Sequence, residues 1–274
     1  MHTKNDLKNN VLKYILLLMP LYIYCNYKNG IILYEKNLVN LFSIFKIEYL
    51  LLINLFLYVV CLIIFKKKIK IDMFFLSLFI IPIFMPYNIN FLLYSLLILG
   101  LIMWHIKFSN SDFPVLPFLI FILGIICNDY LNPAEKNNLY AFSIFDLFFG
   151  RTSGALGSTN IFLGLIITIL LTTSNFYKIS ICLSSFVPYV LLLIVFREYA
   201  YLFHGTNILS MLLLSPWLCY TPISKNIQII YGLLVGIFTF FFTKYIHFYL
   251  GGILAILICQ FLVYIVCIIK RKMI

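Results

Sequence analysis

The sequence predicts an all-α integral membrane protein that crosses the bilayer about ten times. Three observations predict this fold class: 64% of the 274 residues are hydrophobic, only 11% are charged, and apolar segments recur along the whole chain. Average soluble domains carry about a quarter charged residues. The net charge of +11 is explained by loops that face anionic lipid, so the bilayer is the expected partner and nucleic acid is not.

Ten apolar segments are long enough to count as membrane elements, since a bilayer core takes about 20 helical residues and fewer where a helix is broken. We therefore treat residues 1–274 as a single membrane domain. The predicted elements are residues 11–26, 47–65, 71–86, 88–107, 113–127, 158–173, 178–197, 206–220, 227–243 and 248–269.

The distribution of positive charge predicts the orientation. With ten spans, both termini share one face with the even-numbered loops, and that face holds 13 of the 20 Lys and Arg residues but three of the nine acids. Cytoplasmic loops are enriched in Lys and Arg. Both termini are therefore expected in the cytoplasm, and residues 128–157 form the longest loop on the opposite face.

Two of the predicted elements contain helix-breaking sequence. Residues 109–117 include Pro114 and Pro117, and residues 215–225 include Pro222. Paired broken helices indicate inverted repeats with a site near the middle of the membrane, here five-helix halves at about 11–127 and 158–269. Asp112, Thr221 and Ser224 are then the candidate pathway residues. The alternative is that these prolines simply end helices at loops.

Several short motifs occur in a fixed order in the second half of the chain. They include the glycine–serine sequence 154–159, Gly205, the segment 220–224, Gly232 with Gly236, and Gly251 with Ala255. In this order they resemble the membrane protein family shared by RnfD of the Rnf electron-transport complex and NqrB of the sodium-translocating NADH:quinone oxidoreductase (Nqr). Pro82 and Pro86 extend the resemblance to about residues 72–260.

The chain departs from the family pattern at several polar positions. Trp217 and Leu250 stand where the family has acidic residues, Thr243 replaces an arginine, and Gln260 replaces an asparagine. Charged groups inside a membrane are costly and usually functional. The resemblance therefore implies a retained scaffold with altered chemistry.

The resemblance implies a flavin site in the loop 128–157, where the family carries FMN as a phosphoester of a threonine. Glu135 stands at that threonine position and Lys136 follows it. A carboxylate lacks the hydroxyl that the phosphoester needs and repels the phosphate. Covalent FMN is therefore not expected.

Noncovalent binding of FMN or riboflavin is still compatible with the sequence. The candidate binding residues are Arg151, Gly154, Gly157, Ser158 and Thr159, because free backbone N–H groups at a helix N-terminus can hold a phosphate. Close helix packing through small residues explains the same glycines equally well. His204 is expected to be a residue of the membrane interface rather than one that binds the edge of a flavin or relays protons.

Two functions follow from these expectations. The first is a divergent membrane subunit of an ion-translocating electron-transport complex in a bacterial inner membrane, with other membrane subunits as partners. The alternative is a stand-alone transporter or channel for a flavin or another small solute on the same scaffold. No metal site is expected, because the seven cysteines lie mostly in apolar segments without a CxxC pair.

Overall fold

The protein is helical throughout the part of the chain that the computed structural model describes, with no β-strand in that part. The described residues are 4–67, 73–107, 115–127, 129–131, 144–151, 154–173, 177–216, 222 and 224–272. Their α-helices are α1 (Lys4–Asn26), α2 (Ile32–Glu35), α3 (Lys46–Ile64), α4 (Met73–Ile80), α5 (Phe91–Lys107), α6 (Val115–Ile126), α7 (Ile144–Phe148), α8 (Ile161–Thr172), α9 (Ile179–Val195), α10 (Gly205–Leu209), α11 (Lys225–Tyr245) and α12 (Gly251–Lys272).

Three of these helices continue into tighter or wider turns. A π-helical turn, Tyr27–Ile31, joins α1 to α2; α4 runs into the 3₁₀ turn Ile81–Phe84; and α10 continues as the π-helical turn Ser210–Leu214. Apolar segments become helices because a helix satisfies its own backbone hydrogen bonds where water is absent. Asn160 caps α8, and its side chain accepts a hydrogen bond from the Leu163 N–H at 2.9 Å.

Two helical segments, Leu41–Ile64 and Lys225–Tyr245, are long and apolar enough to cross a membrane. Seven shorter apolar helices of 10–17 residues accompany them among the described residues. The predicted class, an all-α membrane protein, is therefore confirmed. The number of ten crossings and the inverted repeat stay predictions.

Two short helices form the centre of the bundle. Residues 76–87, from α4 through the following turn, and residues 204–216, around α10, are buried along their whole length. The surrounding helices instead expose large apolar side chains, such as Leu16 at 68%, Phe56 at 68% and Val195 at 72%. An apolar outer surface around a buried core is typical of helices that face lipid.

Glycines hold α9 and α11 in close contact. A Cβ atom at Gly236 would overlap the carbonyl oxygen of Ser185, and one at Gly232 would overlap the hydroxyl of Ser184. Small residues four apart let membrane helices approach closely enough for backbone contact. Gly232 and Gly236 therefore allow α11 to contact α9 closely.

Polar contacts between loops separate into two sets, one at each end of the bundle. The first set joins loops that the ten-span prediction places on one face of the membrane. Its contacts are Asn88–Asp129 at 2.7 Å, Lys244–Glu198 at 2.9 Å and Lys28–Thr159 at 3.5 Å. We name this the acidic end. The opposite, basic end contains the contacts of Lys67 with the Ile106 carbonyl at 2.7 Å and of Lys178 with the Pro222 carbonyl at 2.8 Å.

Helix directions place both described ends of the chain at the basic end. Asn29, just beyond α1, bonds to the Leu156 carbonyl at the acidic end, so α1 begins at the other end. At the start of α12, the Gly252 N–H bonds to Asn207 near the acidic end, so α12 runs away from it over about 33 Å. This agrees with an even number of crossings.

Candidate functional site

A non-helical segment at the acidic end, residues 154–160, lies entirely inside the protein. Its backbone N–H groups bond to neighbouring elements: Leu156 donates to the Met85 carbonyl at 2.8 Å and Gly157 to the Ile83 carbonyl at 2.9 Å. The Ala155 N–H donates to the Thr206 hydroxyl at 3.2 Å. The segment therefore joins the two short central helices. We call residues 154–160 the buried junction.

Two glycines allow the junction to approach the start of α10. A Cβ atom at Gly205 would overlap the Thr159 carbonyl, and one at Gly154 would lie 2.7 Å from Thr159 Cγ2 and 2.9 Å from Thr206 Oγ1. The hydroxyls of Ser158 and Thr206 are then 3.3 Å apart. Only glycine at these positions leaves room for this packing.

A lysine is buried beside the junction. Lys28, in the π-helical turn after α1, is 3% exposed, and its Nζ donates to Thr159 Oγ1 at 3.5 Å. Next to it, Asn29 Nδ2 donates to the Leu156 carbonyl at 2.9 Å. Burial of a charged group is costly unless the charge is paired, which makes a buried lysine at this position unusual.

The structure brings together four of the five residues predicted to bind a flavin or phosphate. Gly154, Gly157, Ser158 and Thr159 all lie in the buried junction, whereas the Arg151 side chain is 54% exposed and pairs with Asp146 at 3.1 Å. The N–H groups of residues 155–157 already have protein acceptors. This arrangement favours the packing explanation of the glycines. A phosphate site at these residues stays a prediction.

The predicted pathway residues lie mostly outside the described part of the chain. Asp112 and Thr221, like Glu135, are not among the described residues. Ser224 is exposed and immediately precedes α11 at the basic end, next to Pro222, whose carbonyl accepts from Lys178 and, at 3.0 Å, from Gln228. The lining of a pathway by these residues stays a prediction.

A cluster of aromatic rings surrounds a buried histidine beside the junction. His204 is 5% exposed, and its ring centroid lies 4.3 Å from that of Phe248 and 5.1 Å from that of Tyr249. Tyr130 stacks on Tyr249 with centroids 4.6 Å apart and an interplanar angle of 15°. Phe248 and Tyr249, from the loop 246–250, cover the His204 ring. The location of His204 at the membrane interface stays a prediction. We call His204, Tyr130, Phe248 and Tyr249 the aromatic cluster.

Polar atoms in the aromatic cluster have unused hydrogen-bonding capacity. Among the described residues, neither ring nitrogen of His204 nor the Tyr130 hydroxyl has a hydrogen-bond partner. His204 lies in the connection before α10, where burial and the nearby His247 hold its pKa well below the usual range. A neutral imidazole offers one donor and one acceptor. These atoms can therefore bond to the polar edge of a ligand.

Asn207 fixes the loop that covers the cluster. Its Nδ2 donates to the Thr243 hydroxyl and to the Phe248 carbonyl, both at 3.0 Å, and its Oδ1 accepts from the Gly252 N–H at 3.0 Å. Asn207 is fully buried. These three bonds hold Phe248 and Tyr249 against His204. The sequence offers no local signal for this arrangement, because Tyr130, His204 and Tyr249 come from three distant parts of the chain.

Comparison with known proteins identifies the family. Residues 120–273 match the model of the NQR2, RnfD, RnfE family, a range that covers more than half of the chain and contains the junction, α10 and the aromatic cluster. None of the curated proteins compared with the chain matches it. The resemblance seen in the sequence is thus confirmed, and the chain belongs to the NQR2, RnfD, RnfE family.

Proposed function

We propose that the chain is a divergent membrane subunit of an ion-translocating electron-transport complex of the Rnf or Nqr type, in a bacterial inner membrane. The observation that carries this proposal is the family match over residues 120–273. The buried lysine and the orphaned polar atoms at the acidic end support it, since such groups inside a membrane protein mark functional sites. The partners are other membrane subunits of the same complex.

The subunit is called divergent because buried, uncharged residues stand at positions where the family pattern has an acid, an arginine or an asparagine. Leu250, Thr243 and Gln260, which stand where the family pattern has an acid, an arginine and an asparagine, are each no more than 4% exposed. Thr243 uses its hydroxyl to bond the Thr239 carbonyl at 2.6 Å and to accept from Asn207. We infer that these positions now serve packing rather than ion or flavin handling.

The aromatic cluster is our candidate for a noncovalent flavin, FMN or riboflavin. His204 and Tyr130 offer polar atoms for the edge of a ring. A flavin that stacks on Tyr249 would take the place of the Tyr130 ring, which stacks on it in this structure. A bound flavin supplies the ability to accept and pass on electrons. The protein contributes orientation through Asn207 and exclusion of water through burial of the cluster.

The chain is expected to carry no covalent flavin, because Glu135 offers no hydroxyl for a phosphoester. The measurement is in-gel fluorescence after denaturing electrophoresis of the purified chain. We expect no fluorescent band, and any flavin present should appear in the supernatant after denaturation. A band that survives denaturation contradicts the prediction. A Glu135→Thr variant that gains a band supports the alignment of this loop with the family.

Both termini are expected in the cytoplasm, because the basic end carries the larger share of the cations. Reporter fusions after Ile274 and after Lys136 measure this directly. The fusion at Ile274 should be active only as a cytoplasmic reporter, and the fusion at Lys136 only as an external one. The reverse pattern at either position contradicts the topology.

A second function, a stand-alone transporter or channel, is favoured by one specific observation. The short buried helices at residues 73–84 and 205–214 are each the third apolar element of a five-element half. Such paired short helices are typical of transporters with inverted repeats. Purified chain in liposomes should not conduct ions or take up riboflavin by itself if the subunit proposal is right.

Electron transfer in membrane vesicles tests the proposed function. Vesicles from cells without this chain should lose oxidation of NADH or of reduced ferredoxin by the complex, together with the coupled ion uptake. The wild-type chain should restore both activities, whereas an Asn207→Leu variant, which releases the loop over the aromatic cluster, should restore neither. Unchanged electron transfer without the chain contradicts the proposal.

A further inference from the structure

An apolar groove runs between α5 and α6 on the outside of the bundle. It has a volume of about 350 Å³, within the range of small-molecule sites. The groove is lined by Leu96, Leu97, Gly100, Leu101, Trp104, Phe118, Leu119 and Ile122. From Leu96 to Trp104 the α5 wall extends over about 12 Å along the helix axis.

Gly100 forms an open position in the wall of this groove. A Cβ atom at Gly100 would meet no atom within 4 Å, whereas Cβ atoms at Gly232 and Gly236 would collide with α9. A glycine within a helix costs about 1 kcal/mol relative to alanine. Contact with the described residues does not explain this glycine, and the space beside it is open to a molecule in the groove.

Positive charge is concentrated at one end of the groove. Trp104 is followed one turn later by Lys107, the last residue of α5, and Lys67 Nζ lies 2.7 Å from the Ile106 carbonyl. Lys66 is exposed next to Lys67. The groove therefore has an apolar body and a basic end, which matches an acyl chain joined to an anionic headgroup.

We propose that this groove binds one acyl chain of an anionic phospholipid, with the headgroup phosphate at Lys67 and Lys107. The apolar lining gives affinity for the chain, and the two lysines give preference for negative charge. Basic residues where transmembrane helices meet the surface are a recurrent mode of lipid recognition. The site is at the basic end, away from the junction and the aromatic cluster.

Native mass spectrometry of the full-length chain in mild detergent tests the proposal. The probes are phosphatidylglycerol and phosphatidylethanolamine with identical acyl chains, added at equal concentration. We expect phosphatidylglycerol to be retained on the order of tenfold better, from two lysine contacts with the headgroup. A Lys67→Gln/Lys107→Gln variant should lose this preference, and Gly100→Leu should lose retention of both lipids.

Matched controls separate the groove from general effects. A Lys8→Gln/Lys13→Gln variant removes two exposed cations at the same end, and Leu92→Trp adds bulk to an exposed position of the same helix; neither should change retention. If Gly100→Leu does not yield folded protein, Ile122→Trp fills the groove from α6 instead.

Three outcomes overturn the proposal. One is equal retention of the two lipids by the wild-type chain. Another is unchanged retention after the groove is filled. The third is that Gly100→Leu leaves lipid binding intact but abolishes association with a membrane subunit or with a second copy of the chain, because a protein helix is then the occupant.

Discussion

Gly236→Leu is expected to prevent the chain from accumulating in a folded form. The new side chain would displace the Ser185 carbonyl and press on Pro188, whose Cγ lies 2.7 Å from the Cβ position. Overpacking alone costs 1–3 kcal/mol, and displacement of a backbone group adds to it, so we expect a loss of about 3 kcal/mol or more. The measurements are the yield of monodisperse protein in mild detergent and the midpoint of thermal unfolding.

Gly100→Ala is the matched control, because its Cβ atom meets nothing within 4 Å. This exchange should leave the yield unchanged and raise the unfolding midpoint slightly, since alanine favours a helix over glycine. If the Gly236→Leu variant unfolds at the same temperature as the wild-type chain, α9 and α11 are not in the close contact described above.

Asn207→Leu is expected to destabilise the chain by about 3 kcal/mol and to expose the aromatic cluster. Leucine has the same number and branching of side-chain heavy atoms but cannot bond to the Thr243 hydroxyl, the Phe248 carbonyl or the Gly252 N–H. Each buried polar group left without a partner costs about 1–3 kcal/mol. Thermal unfolding gives the loss of stability, and hydrogen exchange of the backbone N–H groups of residues 246–250 reports the opening of the loop.

Asn88→Leu provides the comparison, since Asn88 is exposed and its side chain makes one bond to the described residues, to Asp129 at 2.7 Å. An exposed interaction of this kind is worth less than about 1 kcal/mol. Equal losses in the two variants would show that the three bonds of Asn207 have no special role in holding the loop.

The fold class follows from the sequence because membrane helices are set by local composition. A long apolar segment has no alternative to a helix in lipid, so the ends of α3 and α11 lie within two residues of the predicted segments 47–65 and 227–243. Helix breaks are harder to predict. The breaks predicted at residues 109–117 and 215–225 fall mostly outside the described residues and stay predictions. The described short central helices are at residues 73–84 and 205–214.

The candidate site is only partly visible in the sequence. The glycine–serine pattern draws attention to residues 154–159, which lie together in the buried junction; their role as a binding site stays a prediction. The aromatic cluster depends on contacts between Tyr130, His204 and Tyr249, and Lys28 is buried by the junction, which is distant in the sequence. Such contacts depend on how helices pack, which periodicity and composition do not encode.

The role of Gly232 and Gly236 shows the same limit. Their spacing of four, together with the surrounding family pattern, is evident from the sequence. The backbone of α9 against which they pack becomes evident only in three dimensions. A family motif can therefore be recognised before its physical purpose is known, and here that purpose is close helix packing.

Purification of the tagged chain in mild detergent, with identification of the proteins that accompany it, tests the central claim most directly. The chain is expected to elute in a complex larger than its 32.1 kDa with other membrane subunits and with flavin- or iron–sulfur-containing proteins, and with flavin released on denaturation. Elution of the chain alone, with no redox protein in either gentle or cross-linked preparations, would contradict its assignment as a subunit of an electron-transport complex.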